Sequence, residues 1–298
     1  MNRESKRPLS EIKLHSPQSL KEALELVGKL RGARIIAGGT DLLVDLKQGL
    51  TEATHLVSIQ KIRELRTIER ENDQIRIGAM ATAHNISLDP LICRYLPALA
   101  DAARSMASYQ IRTMATIGGN ISSAVPSADL PPSLIAAEAA VELQCLESSR
   151  KVPLMSFFSG PRMTICRKDE VLTFIHIPVP PPQTGISYQK FTLREANALA
   201  VASVAARLTL KDGRIQSAAV VLGAVAPTPV MASRASEFLT GKNPSEELFS
   251  AAARIAKEES QPISDIRGSV WLRRELIEVL TRRAIHHALE RAQSEGKE

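Results

Sequence analysis

A proline-dense segment, PVPPPQTG at residues 178–185, limits what this chain can fold into more than any other feature. Proline has no amide hydrogen and a fixed φ, so the segment is predicted to hold neither a helix nor a strand ladder. We therefore predict a domain boundary here, with a first domain over residues 1–182 and a second over 183–298. The length of 298 residues suits two domains, because about 150 residues is usual for one.

The first domain is predicted to mix helices with short strands, in subdomains of about 1–60 and 61–182. SPQSLKEALELVGKL predicts an amphipathic helix over 16–30 that begins at Ser16. A strand over 34–37 and a short helix from Leu42 follow. Further on, the pattern predicts strands at 55–59, 65–69 and 74–77, two helices or one kinked helix over 90–106, a long loop, a helix from about Pro131 and a strand near Val141.

The second domain is predicted to be a small sheet covered by helices. Asp212-Gly213 lies between two alternating apolar runs, which is a strong β-hairpin signal. The apolar spacing over 246–258 and 269–293 predicts two helices. Five arginines on the last helix could form a basic face for a partner: Arg273, Arg274, Arg282, Arg283 and Arg291. The fold class is therefore α+β.

The composition argues against several classes of protein. The net charge of +6 is not clustered, and an aromatic content of 3% leaves few side chains for stacking bases, so we predict no nucleic-acid partner. The first residues are charged rather than apolar, and no window approaches the roughly 20 apolar residues of a membrane span. We therefore expect no signal peptide, no membrane span and a cytoplasmic location.

Three cysteines are too few for a disulfide framework, a zinc ribbon or an Fe4S4 cluster. We predict that Cys93, Cys145 and Cys166 are buried, inert thiols. Iron–sulfur chemistry would then have to be located on another chain. The histidines show no ligand spacing, so no metal site is predicted.

Two Gly-Gly pairs are the best candidates for a binding site. Gly38-Gly39 lies in AGGTD after a predicted strand, and Gly118-Gly119 lies in TIGGN. Glycines allow consecutive backbone amides to face an anion, although one such pair alone is more typical of an ordinary tight turn. Two pairs together favour a dinucleotide, and Asn120 and Asp129 could serve a polyhydroxyl chain. Neither pair is GxGxxG, and no Walker lysine follows.

Four runs, in order along the chain, carry a family resemblance: AGGTDLL, QIRTMATIGGNISSAVPSADLPP, FFSGPRMTICRKDEVLTFIHIP and SDIRGSVWLRRELIEVLTRRA. They resemble the FAD-binding medium subunit of the xanthine dehydrogenase and carbon monoxide dehydrogenase family of molybdenum hydroxylases. The resemblance implies a vanillyl-alcohol-oxidase-type (PCMH) FAD-binding domain of two subdomains. It also implies a C-terminal domain of the carbon monoxide dehydrogenase flavoprotein type, with a small antiparallel sheet and helices.

The resemblance implies the residues that bind FAD. The pyrophosphate would be held by Arg34, Ile35, Ile36, Ala37, Gly38, Gly39, Thr40 and Asp41. The second phosphate and ribityl loop would be Thr116, Ile117, Gly118, Gly119 and Asn120. Asp129 would bind ribityl or ribose hydroxyls, the backbone of Leu172 would meet the flavin or adenine end, Lys190 would lie near the isoalloxazine pyrimidine, and Tyr188 would cover one flavin face.

The resemblance also implies the function. The chain would transfer electrons from Fe2S2 clusters on a small partner chain to an external soluble acceptor such as NAD, with the molybdenum cofactor on a large partner chain. Assembly would be a dimer of heterotrimers. Two alternatives remain open at this point. The chain could be a self-contained flavin oxidase or dehydrogenase acting on its own small substrate, or a flavin-free scaffold in which both glycine pairs are only turns.

Overall fold

The computed structural model describes residues 11–195 and 198–294. The first predicted domain begins, and the second ends, outside the described residues, at 1–10 and 295–298. Most of the charged N-terminal segment, for which no signal peptide is predicted, also lies outside them. No helix in the described ranges is long and apolar enough to cross a membrane.

A small parallel sheet begins the fold. Its strands pair in the order β1-β3-β2, and a helix follows each of the first two strands. The elements are β1 (Lys13–His15), α1 (Leu20–Lys29), β2 (Ala33–Ile36), α2 (Leu42–Gln48) and β3 (His55–Ser58). The predicted start of α1 at Ser16 is wrong by three residues. The actual N-cap is Ser19, because its hydroxyl accepts a hydrogen bond from the Glu22 amide.

A five-stranded antiparallel sheet forms the second layer, in the order β4-β5-β10-β6-β7. Its strands are β4 (Ile68–Glu71), β5 (Gln74–Gly78), β6 (Ala140–Gln144), β7 (Ser149–Pro153) and β10 (Val171–Pro178), while β8 (Phe158–Gly160) and β9 (Met163–Thr164) form a separate hairpin. The strand predicted at 65–69 is wrong at its start, because Arg63–Arg66 forms a 3-10 helix whose Leu65 is fully buried.

Helices between β5 and β6 cover one face of this sheet. They are α3 (Ala83–Leu88), α4 (Pro90–Tyr95), α5 (Pro97–Ser105), α6 (Tyr109–Met114), α7 (Ile117–Ser122) and α8 (Leu130–Ala136). The break at Pro97 is confirmed. The long loop predicted after residue 106 is wrong, since α6 and α7 lie within it, and the second glycine pair is part of α7.

A second antiparallel sheet begins within the proline-dense segment. The prediction that residues 178–185 hold no strand ladder is therefore wrong at both ends, where Pro178 pairs with Gln74 and Thr184 pairs with Thr209. It contains β11 (Thr184–Phe191), β12 (Ala202–Lys211), β13 (Arg214–Gly223) and β14 (Val230–Met231). The predicted hairpin turn is confirmed, because Asp212 and Gly213 have φ of 52° and 76°, as a type I′ turn requires. The helices are α9 (Ser233–Leu239), α10 (Glu246–Glu259) and α11 (Val270–Ser294).

This second sheet is buried on both faces, and that position links the two halves of the chain. Ile186, Tyr188 and Ala205 point into the core beneath the five-stranded sheet. Val204 and Leu208 point the other way, into a core shared with α10 and α11. The packing is close enough that a Cβ on Gly185 would lie 1.9 Å from the Ala288 carbonyl oxygen of α11.

Two expectations about side chains are wrong. Cys93 is exposed and Cys145 and Cys166 are partly buried, so the thiols are free but not all inert by burial. Arg273 does not belong to the basic face predicted on α11, because it is 4% exposed and donates to the Val201 and Ala224 carbonyls and to Asp265. Arg291 contributes less charge to that face than predicted, because it pairs with Asp101 at 2.7 Å.

Candidate functional site

The first glycine pair joins β2 to α2 and leaves backbone donors free. Gly39 has φ of 74°, a left-handed conformation that glycine adopts without strain. Within residues 11–195 and 198–294, the amides of Gly38, Gly39 and Thr40 donate to no other group of the chain. Because an unpaired amide carries a partial positive charge, three in succession form a suitable binding surface for an anion.

The side chains that precede this pair are used by the fold itself. Ile35 and Ala37 pack against the core formed around α1 and β3, and Ile36 packs against Leu46 and its neighbours. Arg34 is exposed and its Nε lies 3.4 Å from the Glu52 carbonyl oxygen. Any contribution of this strand to a ligand at the glycine pair therefore comes mainly from its backbone.

The two glycine pairs belong to one region of the molecule. A Cβ on Gly38 would lie 1.9 Å from the Met114 carbonyl oxygen, so the first pair packs directly against the end of α6. The segment between α6 and α7 is fixed in turn by the amide of Ala83, which donates to the Ala115 carbonyl at 2.9 Å. Only two residues separate Met114 from the start of α7 at Ile117.

The second glycine pair differs from the first in how it uses its amides. The Ile117 and Gly118 amides donate to the Ala81 and Ala79 carbonyls, each at 2.9 Å. The Gly119 amide donates to the Thr116 hydroxyl at 3.1 Å, which makes Thr116 the N-cap of α7. The prediction that amides of both pairs face an anion therefore fits only the first pair.

The two glycines of α7 have different reasons to be glycine. A Cβ on Gly118 would lie 2.6 Å from the Ala79 Cβ, so the packing of the chain requires a glycine there. A Cβ on Gly119 would meet only the Thr116 hydroxyl, at 3.0 Å, and Gly119 has no positive φ. A glycine inside a helix costs about 0.5–1 kcal/mol relative to alanine. Apart from that capping hydroxyl, no atom of the described residues lies within 4 Å of the Cβ position, so Gly119 has an open side.

Asp129, Tyr188 and Lys190 form a buried cluster between α8 and β11. One carboxylate oxygen of Asp129 accepts hydrogen bonds from the Tyr188 hydroxyl and the Lys190 ammonium, both at 3.0 Å. Lys190 also donates to the Ser105 carbonyl at 2.8 Å, at the end of α5. The side chains of Asp129 and Lys190 are 6% and 9% exposed. The cluster therefore holds a cation at a fixed place between the end of α5 and the start of α8.

Burial dominates the electrostatics of this cluster. It raises the pKa of the Asp129 carboxyl above its ordinary value, and the neighbouring Lys190 ammonium and Tyr188 hydroxyl oppose that shift. Burial, with the Asp129 charge beside it, also raises the pKa of the Tyr188 hydroxyl well above its ordinary value. Tyr188 therefore stays protonated at neutral pH and acts as a hydrogen-bond donor.

Three remaining predicted residues have modest contacts. Leu172 is buried in β10, where its backbone pairs with Leu143. The Asn120 side-chain oxygen accepts from the Leu130 amide at 3.4 Å, which links α7 to α8. Asp41 precedes α2, and its carbonyl accepts from the Asp45 amide.

These features fit FAD on structural grounds. The free amides at the first glycine pair suit the pyrophosphate, the open side of Gly119 permits close approach of a cofactor, and the Lys190 cation suits a ring that gains negative charge on reduction. Sequence reasoning missed two contributors. Ser105 contributes only a carbonyl, which no pattern reveals, and Arg162 reaches Asp45 of α2 across a long separation in sequence.

Comparisons with known proteins identify the family of this chain. The family described as FAD binding domain in molybdopterin dehydrogenase matches residues 10–180, and CO dehydrogenase flavoprotein C-terminal domain matches residues 187–288. The carbon monoxide dehydrogenase medium chain of Afipia carboxidovorans is 34% identical over 94% of this chain and 97% of its own. The xanthine dehydrogenase FAD-binding subunit of Escherichia coli is 31% identical over 92% of this chain and 95% of its own.

A solved structure of the same family has the same fold as this chain. A chain of the carbon monoxide dehydrogenase from Hydrogenophaga pseudoflava matches with a TM-score of 0.91 at 33% identity, covering 94% of this chain and 98% of that one. The predicted fold class and family are confirmed. The chain belongs to the family of FAD-binding medium subunits of molybdenum hydroxylases, which are oxidoreductases.

Proposed function

We propose that this chain is the electron-transfer subunit of a molybdenum hydroxylase complex. It takes electrons from Fe2S2 clusters on a small partner chain and passes them to a soluble acceptor such as NAD. A large partner chain carries the molybdenum cofactor and transforms the substrate, and the complex is a dimer of heterotrimers. The proposal includes a cytoplasmic location and domain limits of 1–182 and 183–298.

One observation carries the proposal. The first glycine pair, with its free amides, packs directly against the chain that leads into the second pair. Two half-sites this close in space can hold one extended dinucleotide. In this arrangement Gly38, Gly39 and Thr40 bind the pyrophosphate through their amides, and Gly119 and Asn120 contact the chain that follows it.

Other residues of the predicted set orient the cofactor. Asp129 accepts hydrogen bonds from Lys190 and Tyr188, and this fixes the ammonium and the tyrosine ring. FAD, when bound, would supply a ring that can accept electrons singly and give up two of them together as a hydride. The Lys190 cation stabilises negative charge at the pyrimidine edge of that ring, and the backbone of Leu172 meets the cofactor at the flavin or adenine end.

A self-contained flavin oxidase is less well supported by the cluster. Such an enzyme needs a group that is free to take a proton from its substrate. The Asp129 carboxylate already accepts two hydrogen bonds in a buried position, and the raised pKa of Tyr188 makes that hydroxyl a poor proton donor. These groups are arranged to hold a charge in place, which suits electron transfer.

A flavin-reduction experiment tests the proposal. The FAD-loaded chain is mixed without oxygen with the chemically reduced small iron–sulfur chain of its complex, and the visible flavin absorbance is followed. We expect the absorbance to bleach and then to return when NAD or another acceptor is added. An FAD-loaded chain that is not reduced by the iron–sulfur chain, but that is reduced directly by a small organic substrate, would refute the proposal in favour of the self-contained enzyme.

A further inference from the structure

The turn between β8 and β9 contains a residue in an unfavourable conformation. Gly160 pairs with Met163, so Pro161 and Arg162 form a two-residue turn. Arg162 has φ of 59°, a region in which glycine or asparagine is expected at the second central position. A non-glycine residue held there by its surroundings commonly serves a purpose other than making the turn.

Arg162 contacts the two elements that follow the two glycine pairs. Its guanidinium forms an ion pair with the Asp45 carboxylate of α2, which begins three residues after Gly39. Its amide donates to the Ala124 carbonyl at 2.8 Å, just past the end of α7. Ala124 itself has φ of 46°, so both partners of this hydrogen bond are in the left-handed region.

The turn does not need Arg162 for its own attachment. The Ile165 amide donates to the Phe157 carbonyl at 3.0 Å, and Phe158 and Cys166 pack against the main core. Phe157 beside them is fully buried. A glycine at residue 162 would form the same turn with less strain and could keep the amide hydrogen bond to Ala124. What only the arginine supplies is the ion pair to α2.

We infer that Arg162 is a positioning residue that clamps α2 to α7 and so fixes the distance between the two glycine pairs. The clamp slows FAD dissociation, because a dinucleotide held at both ends is lost once its half-sites separate. The Asp45 side chain is 15% exposed and that of Arg162 is 47% exposed, so the pair is partly shielded from solvent. This inference rests on the proposed FAD site.

The test compares FAD dissociation rates, measured by the rise of flavin fluorescence after dilution, for the wild-type chain, Arg162→Gly, Arg162→Lys, Asp45→Asn and the double variant Arg162→Gly with Asp45→Asn. We expect Arg162→Gly and Asp45→Asn to release FAD at least about threefold faster, as for a partly shielded ion pair. The double variant should match the single variants, because all three lack the same contact. Arg162→Lys should be intermediate.

Two further measurements separate the clamp from a general loss of stability. The FAD-free Arg162→Gly chain should melt at a temperature no lower than wild type, since the strain is relieved. Gln183→Gly is the matched control, because Gln183 also has a positive φ of 58° but its backbone bonds to Leu210 of β12 and forms no hydrogen bond with α2 or α7. It should leave FAD dissociation unchanged. Added salt should speed dissociation from the wild-type chain and not from Arg162→Gly.

The outcomes distinguish this inference from the proposed function. If the wild-type chain binds FAD and Arg162→Gly releases it at the wild-type rate, the clamp is overturned and the FAD site stands. If Arg162→Gly loses FAD only in proportion to a lower melting temperature, the residue is merely structural and the clamp is again overturned. A wild-type chain that takes up no FAD would overturn the clamp together with the site.

Discussion

Replacing Gly119 by alanine should weaken FAD binding while leaving the FAD-free fold about as stable as before. The new Cβ would lie 3.0 Å from the Thr116 hydroxyl, its one neighbour within 4 Å among the described residues, and that hydroxyl, which caps α7 by accepting from the residue-119 amide, must move by a few tenths of an ångström. The helix propensity of alanine contributes about 0.5–1 kcal/mol, and the disturbed cap offsets part or all of that gain. The methyl group occupies space that we assign to the cofactor, and overpacking of that kind costs about 1–3 kcal/mol.

The expected change in affinity follows from that cost. A loss of about 1–3 kcal/mol corresponds to an FAD Kd raised by about 5- to 150-fold. The Kd is measured by titrating the FAD-free chain and following the quenching of flavin fluorescence, and stability is measured by urea unfolding of the same FAD-free chain. Gly119→Val, with a branched side chain, should weaken binding further.

Gly28→Ala provides the matched control. Gly28 is also a helical glycine, in α1, and a Cβ there would have no neighbour within 4 Å. It should stabilise the chain by about 0.5–1 kcal/mol and leave the Kd for FAD unchanged. If Gly119→Ala binds FAD as tightly as the wild-type chain does, the open side of Gly119 does not face the cofactor and our placement of the second half-site is wrong.

Two further predictions concern charge. Lys190→Gln keeps a hydrogen-bond donor to Asp129 but removes the cation. A charged hydrogen bond is worth about 1.5–3 kcal/mol, so we expect the two-electron flavin potential to fall by about 30–60 mV. An unchanged potential in a dye-coupled redox titration would show that Lys190 does not stabilise the reduced flavin. Glu170 is buried, and two hydrogen bonds from Arg150 hold its pKa below the ordinary 4.5, opposed by burial. Its ion pair therefore stabilises the fold above pH 4.5, and this contribution is lost as the pH falls below 4.5 and through the lower folded-state pKa. In urea unfolding between about pH 6 and pH 3, Glu170→Gln should show a flatter loss of stability than the wild-type chain, and an equal slope would contradict this assignment.

Local signals in the sequence predicted the parts of the fold that depend on neighbouring residues. Asp212-Gly213 specifies a hairpin turn because both residues must adopt positive φ, and Pro97 ends one helix and starts the next because it lacks an amide hydrogen. The apolar spacing of α10 and α11 likewise predicted both helices to within one residue at each end. Each of these features is decided within a few residues of chain.

Features decided by distant contacts could not be predicted in this way. The helix α7 contains two glycines, which lowers its helix propensity, and it forms because Ala79 and Ala81 accept its first amides. The central place of β10 depends on β5 and β6, which flank it in space and are far from it in sequence. Arg162 looks like an ordinary turn residue until the fold brings Asp45 to it.

The candidate site likewise has parts that the sequence predicts and parts that depend on distant contacts. Its glycine pairs are visible as patterns in the sequence. The contact of Gly38 with Met114, just ahead of the second pair, and the cluster of Asp129, Tyr188 and Lys190 exist only in the folded chain. The resemblance to the medium subunits identified the members of that cluster. The structure adds the hydrogen bonds that join them.

The most direct test of the account is the flavin content of the purified chain. Its visible spectrum is recorded, any chromophore is released by heat and identified, and FAD is added back if the protein is colourless. We predict one FAD per chain, with no turnover of small substrates by the chain alone. A chain that binds no flavin even after reconstitution would show that the two glycine pairs are turns and would contradict the proposed electron-transfer function.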